Sequence, residues 1–328
     1  MDKMRCGLVV EKAKMVCEEF PVQPMKEGDL LVRTEMAAIC GSDLHMVMMG
    51  VNLVKDRMKP GSPGHEGIGE VVESNSPHFQ KGDRVLTVPK PPFTFCFADY
   101  QTIPDHSCIK VPKDIPVDEA LMAQQFGTTI FALRQHPADV VGKNVMVVGQ
   151  GSAGMFFAYM LKRMGAAKVI ATDLSEARLD MGKRMGGVDL AVKADGKNAY
   201  EAVMDVTGGK GVDYLVEAVG RTETQQQVSD YMNLDGKVLF FGLPESNEKI
   251  PFNFHDFFRR RINAKTTFGT QHEPELASFR LALDLIASKQ INVSGLVSHS
   301  YNIEEINEAM HVANERPARS LKVGVTFK

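Results

Sequence analysis

The chain has 328 residues, enough for about two domains of roughly 150 residues each. Hydrophobic residues make up 44% and charged residues 24%, the usage of a folded globular protein, which excludes disordered and fibrous classes. With 38 basic against 41 acidic residues the net charge is -3, so the positive excess needed to bind a phosphate backbone is missing and no nucleic-acid partner is expected.

Near the N-terminus the apolar run 7–10, before Glu11, is too short for the core of a secretion signal. The cysteines, Cys6, Cys17, Cys40, Cys96 and Cys108, form no C-x-x-C pair. A chain this long buries enough surface to do without disulfides, so a reducing, cytoplasmic setting is expected. Up to about residue 125, β-rich runs at 30–32, 69–72 and 84–88 are separated by Gly and Pro clusters, which predicts an irregular, mostly β region. From about residue 140, apolar strands alternate with helical stretches, the pattern of β-α-β units on a parallel sheet. Predicted strands are 145–148, 169–172, 212–217, 238–241 and 263–268, apolar enough for a sheet covered on both faces. Between the first two, Phe156, Met160 and Met164 share one helical stripe. After Asp173, Ser175 is placed to cap a helix carrying Ala177, Met181 and Met185, ended by Gly186 and Gly187. The uncharged stretch 144–161 is as long as a membrane span, but its glycines with Gln150 and Ser152 suit a strand, a turn and a helix. No membrane segment is expected. The final segment, from about residue 270, leaves this rhythm and is read as returning to the first region.

Residues 145–154 read VMVVGQGSAG, a G-x-G-x-x-G string directly after a strand and at the opening of a helix. Gly149 permits the tight turn, Gly151 lets the backbone approach a pyrophosphate, and Gly154 lets helix and strand pack closely. Ser152 and Ala153 open the helix whose N–H groups face the phosphates. Asp173, at the end of the next strand, is placed to accept hydrogen bonds from the adenosine ribose and would repel a 2′-phosphate, which favours NAD. Arg178 nearby keeps NADP as the alternative. Val219, Gly242 and Leu243, at the ends of later strands, are placed to approach the nicotinamide half.

Two further clusters are dense in reactive side chains: Cys40-Gly-Ser42-Asp43-Leu-His45 and Gly64-His65-Glu66-Gly-Ile-Gly69. Together they offer a thiolate, an imidazole and a carboxylate, the donors zinc takes in catalytic sites that keep a position open. Taken singly, the cysteine and the histidine read as a buried thiol and a hydrogen-bonded ring.

The succession C-G-S-D-x-H, G-H-E-x-x-G, K-G-D-R-V at 81–85 and the dinucleotide turn resembles the zinc-dependent medium-chain dehydrogenase/reductase family over nearly the whole chain. Segments 171–179 and 292–299 are similar to its polyol branch, the sorbitol and threonine dehydrogenases. The resemblance implies an α/β protein: a GroES-like, mostly β catalytic domain over 1–127 and 270–328, and a Rossmann doubly wound parallel-sheet coenzyme domain over 128–269. By position it implies that Cys40 and His65 bind one catalytic Zn2+ per chain, with Glu66 as a third or exchangeable ligand. It further implies that Asp43 orients His65, that Ser42 accepts the substrate hydroxyl proton, and that His45 passes it toward solvent. A homodimer or homotetramer, joined through the last strand of the nucleotide domain, is also implied.

The departures from that family matter too. Relatives often carry a four-cysteine structural zinc lobe after the K-G-D-R-V segment, whereas here 88–96 runs almost directly into the next β segment, so Cys96 and Cys108 are read as buried thiols. Gln124-Gln125 stands where the polyol enzymes have Glu-Pro. With Gln124 beside the metal or in the pocket wall, only the Cys40 thiolate and the Glu66 carboxylate would offset the metal's charge. Gly269-Thr270 replaces an Arg-Tyr pair, which argues against a hexitol substrate. Phe93, Phe95 and Phe126 are read as pocket lining or core. The expected activity is hydride transfer between NAD and a small-molecule secondary alcohol or polyol, or the corresponding carbonyl, with zinc as Lewis acid. The alternatives are a zinc-free quinone or enoyl reductase and a catalytically silent nucleotide-binding protein.

Overall fold

The computed structural model describes residues 3–50, 59–90, 95–195, 197–317 and 320–328. The chain forms two compact units, Met1–Gly127 with Gln271–Lys328, and Thr128–Thr270. In chain order the elements are β1 (Lys3–Glu11), β2 (Lys14–Pro21), β3 (Asp29–Ala38), α1 (Gly41–Val47), β4 (Glu66–Ser74), β5 (Arg84–Thr87), β6 (Tyr100–Pro104), β7 (Cys108–Lys110) and α2 (Val117–Gln135). There follow β8 (Asn144–Val148), α3 (Ser152–Arg163), β9 (Lys168–Asp173), α4 (Glu176–Arg184), β10 (Leu190–Lys193), α5 (Asn198–Val206), β11 (Val212–Glu217), α6 (Thr222–Gln227), β12 (Met232–Phe240), α7 (Phe254–Arg259) and β13 (Asn263–Thr266). The chain ends with α8 (Ala277–Ala287), β14 (Val297–Asn302), α9 (Ile306–Glu315) and β15 (Lys322–Thr326).

In the first unit the sheet runs β14-β15-β3-β4-β5-β7, with β6 also paired to β3, beside a β1-β2 hairpin. Strand β3 buries Leu30 and Val32 against Val71, Val85, Ile103 and Cys108. Further along, Ala37 and Ile39 pack with Leu44 and Val47 of α1 and with Ile303, Ile306 and Val325 from the end of the chain. Each fully buried aliphatic side chain of this kind contributes about 1.5–3 kcal/mol. The returning C-terminal segment is thus part of the same sheet, with Gly324 opposite Ala38.

In the second unit six parallel strands run in the order β10-β9-β8-β11-β12-β13. Counted from β8 this is the 3-2-1-4-5-6 order of a doubly wound sheet, whose switch point lies between β8 and β11. Along β8, Val145 and Val147 join a cluster with Phe157, Leu161 and Val169, while Met146 and Val148 join one with Ile170, Leu215 and Val238. Alternate residues therefore bury on opposite faces, as in a sheet covered on both sides. The last strand departs from that expectation: all four residues of β13 are exposed and it ends at Thr266, because it is an edge strand with polar side chains. Strand β12 begins at Met232, well before the apolar run at 238, and β1, β2, β6, β7, β10, β14 and β15 have no counterpart among the predicted strands.

The two predicted helices form, with differences. Helix α3 starts at Ser152 and buries Phe157 and Leu161 as well as Phe156, a wider face than the stripe 156, 160, 164. Ser175 stands at the N-cap of α4, but its side chain makes no capping bond; its N–H instead donates to Asp173 Oδ1 at 2.8 Å. Among the described residues no helix is long and apolar enough to cross a membrane.

Candidate metal centre and dinucleotide turn

Strand register assembles the candidate metal centre. Ala38, at the end of β3, pairs with Glu66, the first residue of β4, so the chain leaving β3 at Cys40 passes beside His65 and Glu66. Cys40 then caps α1. Asp43, the third residue of that helix, accepts the Cys40 N–H at 2.9 Å, so the C-G-S-D string closes a capping box that fixes the cysteine backbone. Leu44 and Val47 bury the other face of α1 in the core.

The Cys40 Sγ, a ring nitrogen of His65 and a carboxylate oxygen of Glu66 all lie within 4.8 Å of one another. The other oxygen of Asp43 stands 3.1 Å from His65 Nδ1, which also lies 3.2 Å from the Pro63 carbonyl. That side of the ring is thereby engaged, which leaves Nε2 for a metal; Ser42 Oγ sits 3.5 Å from Nε2. Burial alone would lower the His65 pKa, but Asp43 and Cys40 outweigh it and hold it well above the ordinary 6.5. Gln124, on α2, is buried and donates from Nε2 to the His65 carbonyl at 3.2 Å. His45 lies one turn beyond Ser42 on α1 and is buried, not presented to solvent.

One side chain of this cluster is not marked by either sequence motif. Lys322, the first residue of β15, places Nζ 2.6 Å from Glu66 Oε2, with both side chains buried. Burial works against its charge, yet Glu66, Cys40 and Asp43 together raise its pKa above 10.5, so it is a cation. The charge count made on Cys40 and Glu66 alone therefore omitted a positive charge at Glu66. A lone lysine in the apolar strand KVGVT was the available signal, since lysine is rarely buried unpaired.

Cys96 and Cys108 are fully buried, and all five cysteines are free. Burial pushes the Cys6 and Cys96 thiols up to about 12. Phe126 is core and Phe95 is half-buried, whereas Phe93 lies outside the described residues.

In the second unit the glycine turn follows β8. Gly149 has φ +91, and a Cβ on Gly154 would fall 1.9 Å from the Gly149 carbonyl, so neither position takes a side chain. At Gly151, the N-cap of α3, a Cβ would meet nothing within 4 Å. This opening lies at the start of a helix, where the backbone N–H groups and the helix dipole favour an anion, and so it fits a pyrophosphate. Asp173 ends β9 as expected, but its carboxylate also braces the turn, accepting the Gln150 N–H at 2.7 Å. Arg178 is half-buried on α4. Val219 lies against Gly149, and Gly220 interlocks with Gly242 and Leu243.

Two families match the chain: "Alcohol dehydrogenase GroES-like domain" over residues 26–113 and "Zinc-binding dehydrogenase" over 153–288. The two matches fall in both units, and the chain belongs to the zinc-type medium-chain dehydrogenase family. It is 27% identical over 332 residues to an L-threonine 3-dehydrogenase of Sinorhizobium medicae, covering 90% of this chain and 92% of that one. Among solved structures it is similar to an Escherichia coli oxidoreductase/dehydrogenase of unknown specificity involved in membrane biogenesis, with TM-score 0.87, 21% identity and 99% of each chain covered. It is also similar to the L-idonate 5-dehydrogenase of Escherichia coli, with TM-score 0.82, 23% identity, and 99% of this chain and 98% of that one covered. The fold of the zinc-type dehydrogenases thus extends over nearly the whole chain.

Proposed function

We propose that the chain is a zinc-dependent dehydrogenase that moves a hydride between a secondary alcohol or polyol and NAD. The observation that carries this reading is the clustering of a thiol, an imidazole and a carboxylate within 4.8 Å in a chain that also holds the glycine turn. Cys40, His65 and Glu66 would hold one zinc ion, and residues 149–154 with Asp173 the dinucleotide. Zinc, when bound, supplies Lewis acidity at the substrate oxygen, and the nicotinamide takes the hydride.

The chain's own residues handle the rest. Asp43 holds the His65 ring with Nε2 turned to the donor cluster. Ser42 Oγ, beside that nitrogen, takes the substrate hydroxyl proton, and His45 on the same helix face receives it next. Lys322 offsets the Glu66 charge, so the carboxylate that would help hold the metal already faces one buried cation. Asp173 selects NAD by charge, since a 2′-phosphate there would meet a carboxylate. The relatives' names, threonine and idonate dehydrogenases, are those of enzymes whose substrates carry an alcohol carbon.

The test is reduction of NAD and NADP at neutral pH across a matched panel of secondary alcohols and polyols, with and without a chelator. Turnover with NAD that the chelator abolishes is expected. Absence of turnover from zinc-loaded protein on every member would contradict the reading. The same reading makes the chain a cytoplasmic homodimer or homotetramer joined at β13, an exposed edge strand beside Phe254 and Phe258, which are 70% and 71% exposed. Light scattering should then give a multiple of the chain mass, and a monomer would refute the assembly.

A further inference from the structure

A fully buried carboxylate lies beneath the second unit's switch point, unused by the chemistry above. Glu217 ends β11, opposite Val148 of β8 and Phe240 of β12, so it stands beside the start of the glycine turn. Its side chain accepts the N–H of Val219 at 2.9 Å, the N–H of Gly220 at 3.0 Å and the hydroxyl of Thr224 at 2.8 Å. Its backbone carbonyl accepts the N–H groups of Phe241 and Gly242, both at 2.9 Å.

These bonds lock three turns together. A Cβ on Gly149 would lie 2.6 Å from Val219 Cγ2, so Val219 rests directly on the phosphate-cradling turn. Gly220, at φ +87, has no room for a Cβ, which would fall 2.1 Å from the Leu243 carbonyl. On Gly242 a Cβ would lie 2.1 Å from the Gly220 nitrogen and 2.7 Å from Glu217 Oε2. Turns 218–220 and 241–243 therefore pack as one piece over Glu217. Burying a carboxylate is costly unless donors surround it, and here three donors converge on it. Desolvation raises its pKa, and the same three donors oppose that rise.

We infer that Glu217 is a positioning residue for the nicotinamide half of the bound dinucleotide: it holds Val219 and Gly220 against the glycine turn and so sets the floor on which that half lies. Ligands of doubly wound sheets sit at the carboxyl ends of the strands at the switch point, where these turns are. The adenosine half depends on other residues, the N-terminus of α3 and Asp173. The inference rests on the dinucleotide-dependent reading above.

The experiment is calorimetric titration of the zinc-loaded chain with NADH and, separately, with ADP-ribose, which has the adenosine half and lacks nicotinamide. The variants are Glu217→Ala, Glu217→Gln and Thr224→Val. In Glu217→Ala, NADH affinity should fall about tenfold or more while ADP-ribose affinity stays within about twofold, because unsatisfied buried donors shift only the local turn. Glu217→Gln keeps one acceptor oxygen and Thr224→Val loses one donor, so both should weaken NADH by about two- to fivefold with ADP-ribose unchanged. Should Glu217→Ala fail to fold, these two carry the test. Equal weakening of both ligands would make Glu217 a general support of the unit, and unchanged NADH affinity in all variants would overturn the inference outright. If the unmutated chain binds neither NADH nor ADP-ribose, the dinucleotide reading itself falls, and the inference with it.

Discussion

The glycine turn and the metal centre are made by opposite means. Residues 145–154 are consecutive, and the shape of their turn is set by missing side chains: no Cβ fits at Gly154, and open space is left at Gly151. The metal centre draws side chains from four separate segments, around Cys40, His65, Gln124 and Lys322, and is set by what those side chains present to one another. The turn excludes an added atom where it is packed, at Gly149 and Gly154, whereas a side-chain site depends on charges being balanced in a buried place. Substitutions should therefore act through strain in the first and through uncompensated charge in the second.

The largest effect is expected at the charge-balanced site. Lys322→Met leaves Glu66 buried without its cation, and in chelator-treated protein denaturant unfolding should show a loss of about 3–5 kcal/mol. Zinc loading should shrink that loss, since the metal then offers Glu66 a positive charge; an equal loss in both forms would separate Lys322 from the metal centre. Strain comes next. Gly154→Ala drives a Cβ into the Gly149 carbonyl and should cost about 3 kcal/mol or more, while Gly151→Ala should stay within about 1 kcal/mol yet weaken NADH binding. Equal stability of the two variants would break the account of the turn.

Smaller effects sharpen the comparison. Asp43→Asn removes the charge beside His65 Nδ1 and should lower zinc affinity about 10- to 100-fold in a chelator competition, with little change in unfolding. Unchanged zinc affinity would reduce Asp43 to a helix cap. The smallest is Ser175→Ala, expected to change stability by less than about 0.5 kcal/mol, since the serine stands at an N-cap without making the bond worth about 1 kcal/mol.

Legibility follows the same division. The G-x-G-x-x-G string, Asp173 and the strand-helix alternation are local, so the parallel sheet and its turn can be read directly from the order of residues. The start of strand β12 is hidden because Asn233, Asp235 and Gly236 interrupt its apolar run, and edge strand β13 carries no apolar alternation to mark its end. At the metal centre, single-residue chemistry makes Cys40, His65 and Glu66 candidates, but only the β3-β4 and β3-β15 registers bring them together with Lys322. Spacing along the chain gave no hint of that lysine, because its partner lies 256 residues earlier. Asp173 shows a milder case: its place at the end of β9 was legible, its bond to the Gln150 N–H was not.

The proposed function stands on Cys40, His65 and Glu66 holding one zinc ion through one thiolate, one imidazole and one carboxylate. X-ray absorption at the zinc edge, together with zinc counted per chain, tests it most directly. The account predicts about one zinc per chain, with a single sulfur near 2.3 Å and nitrogen or oxygen neighbours near 2.0–2.2 Å, and loss of the metal in Cys40→Ala. Two or more sulfurs at the metal, or zinc retained in full by Cys40→Ala, would contradict it.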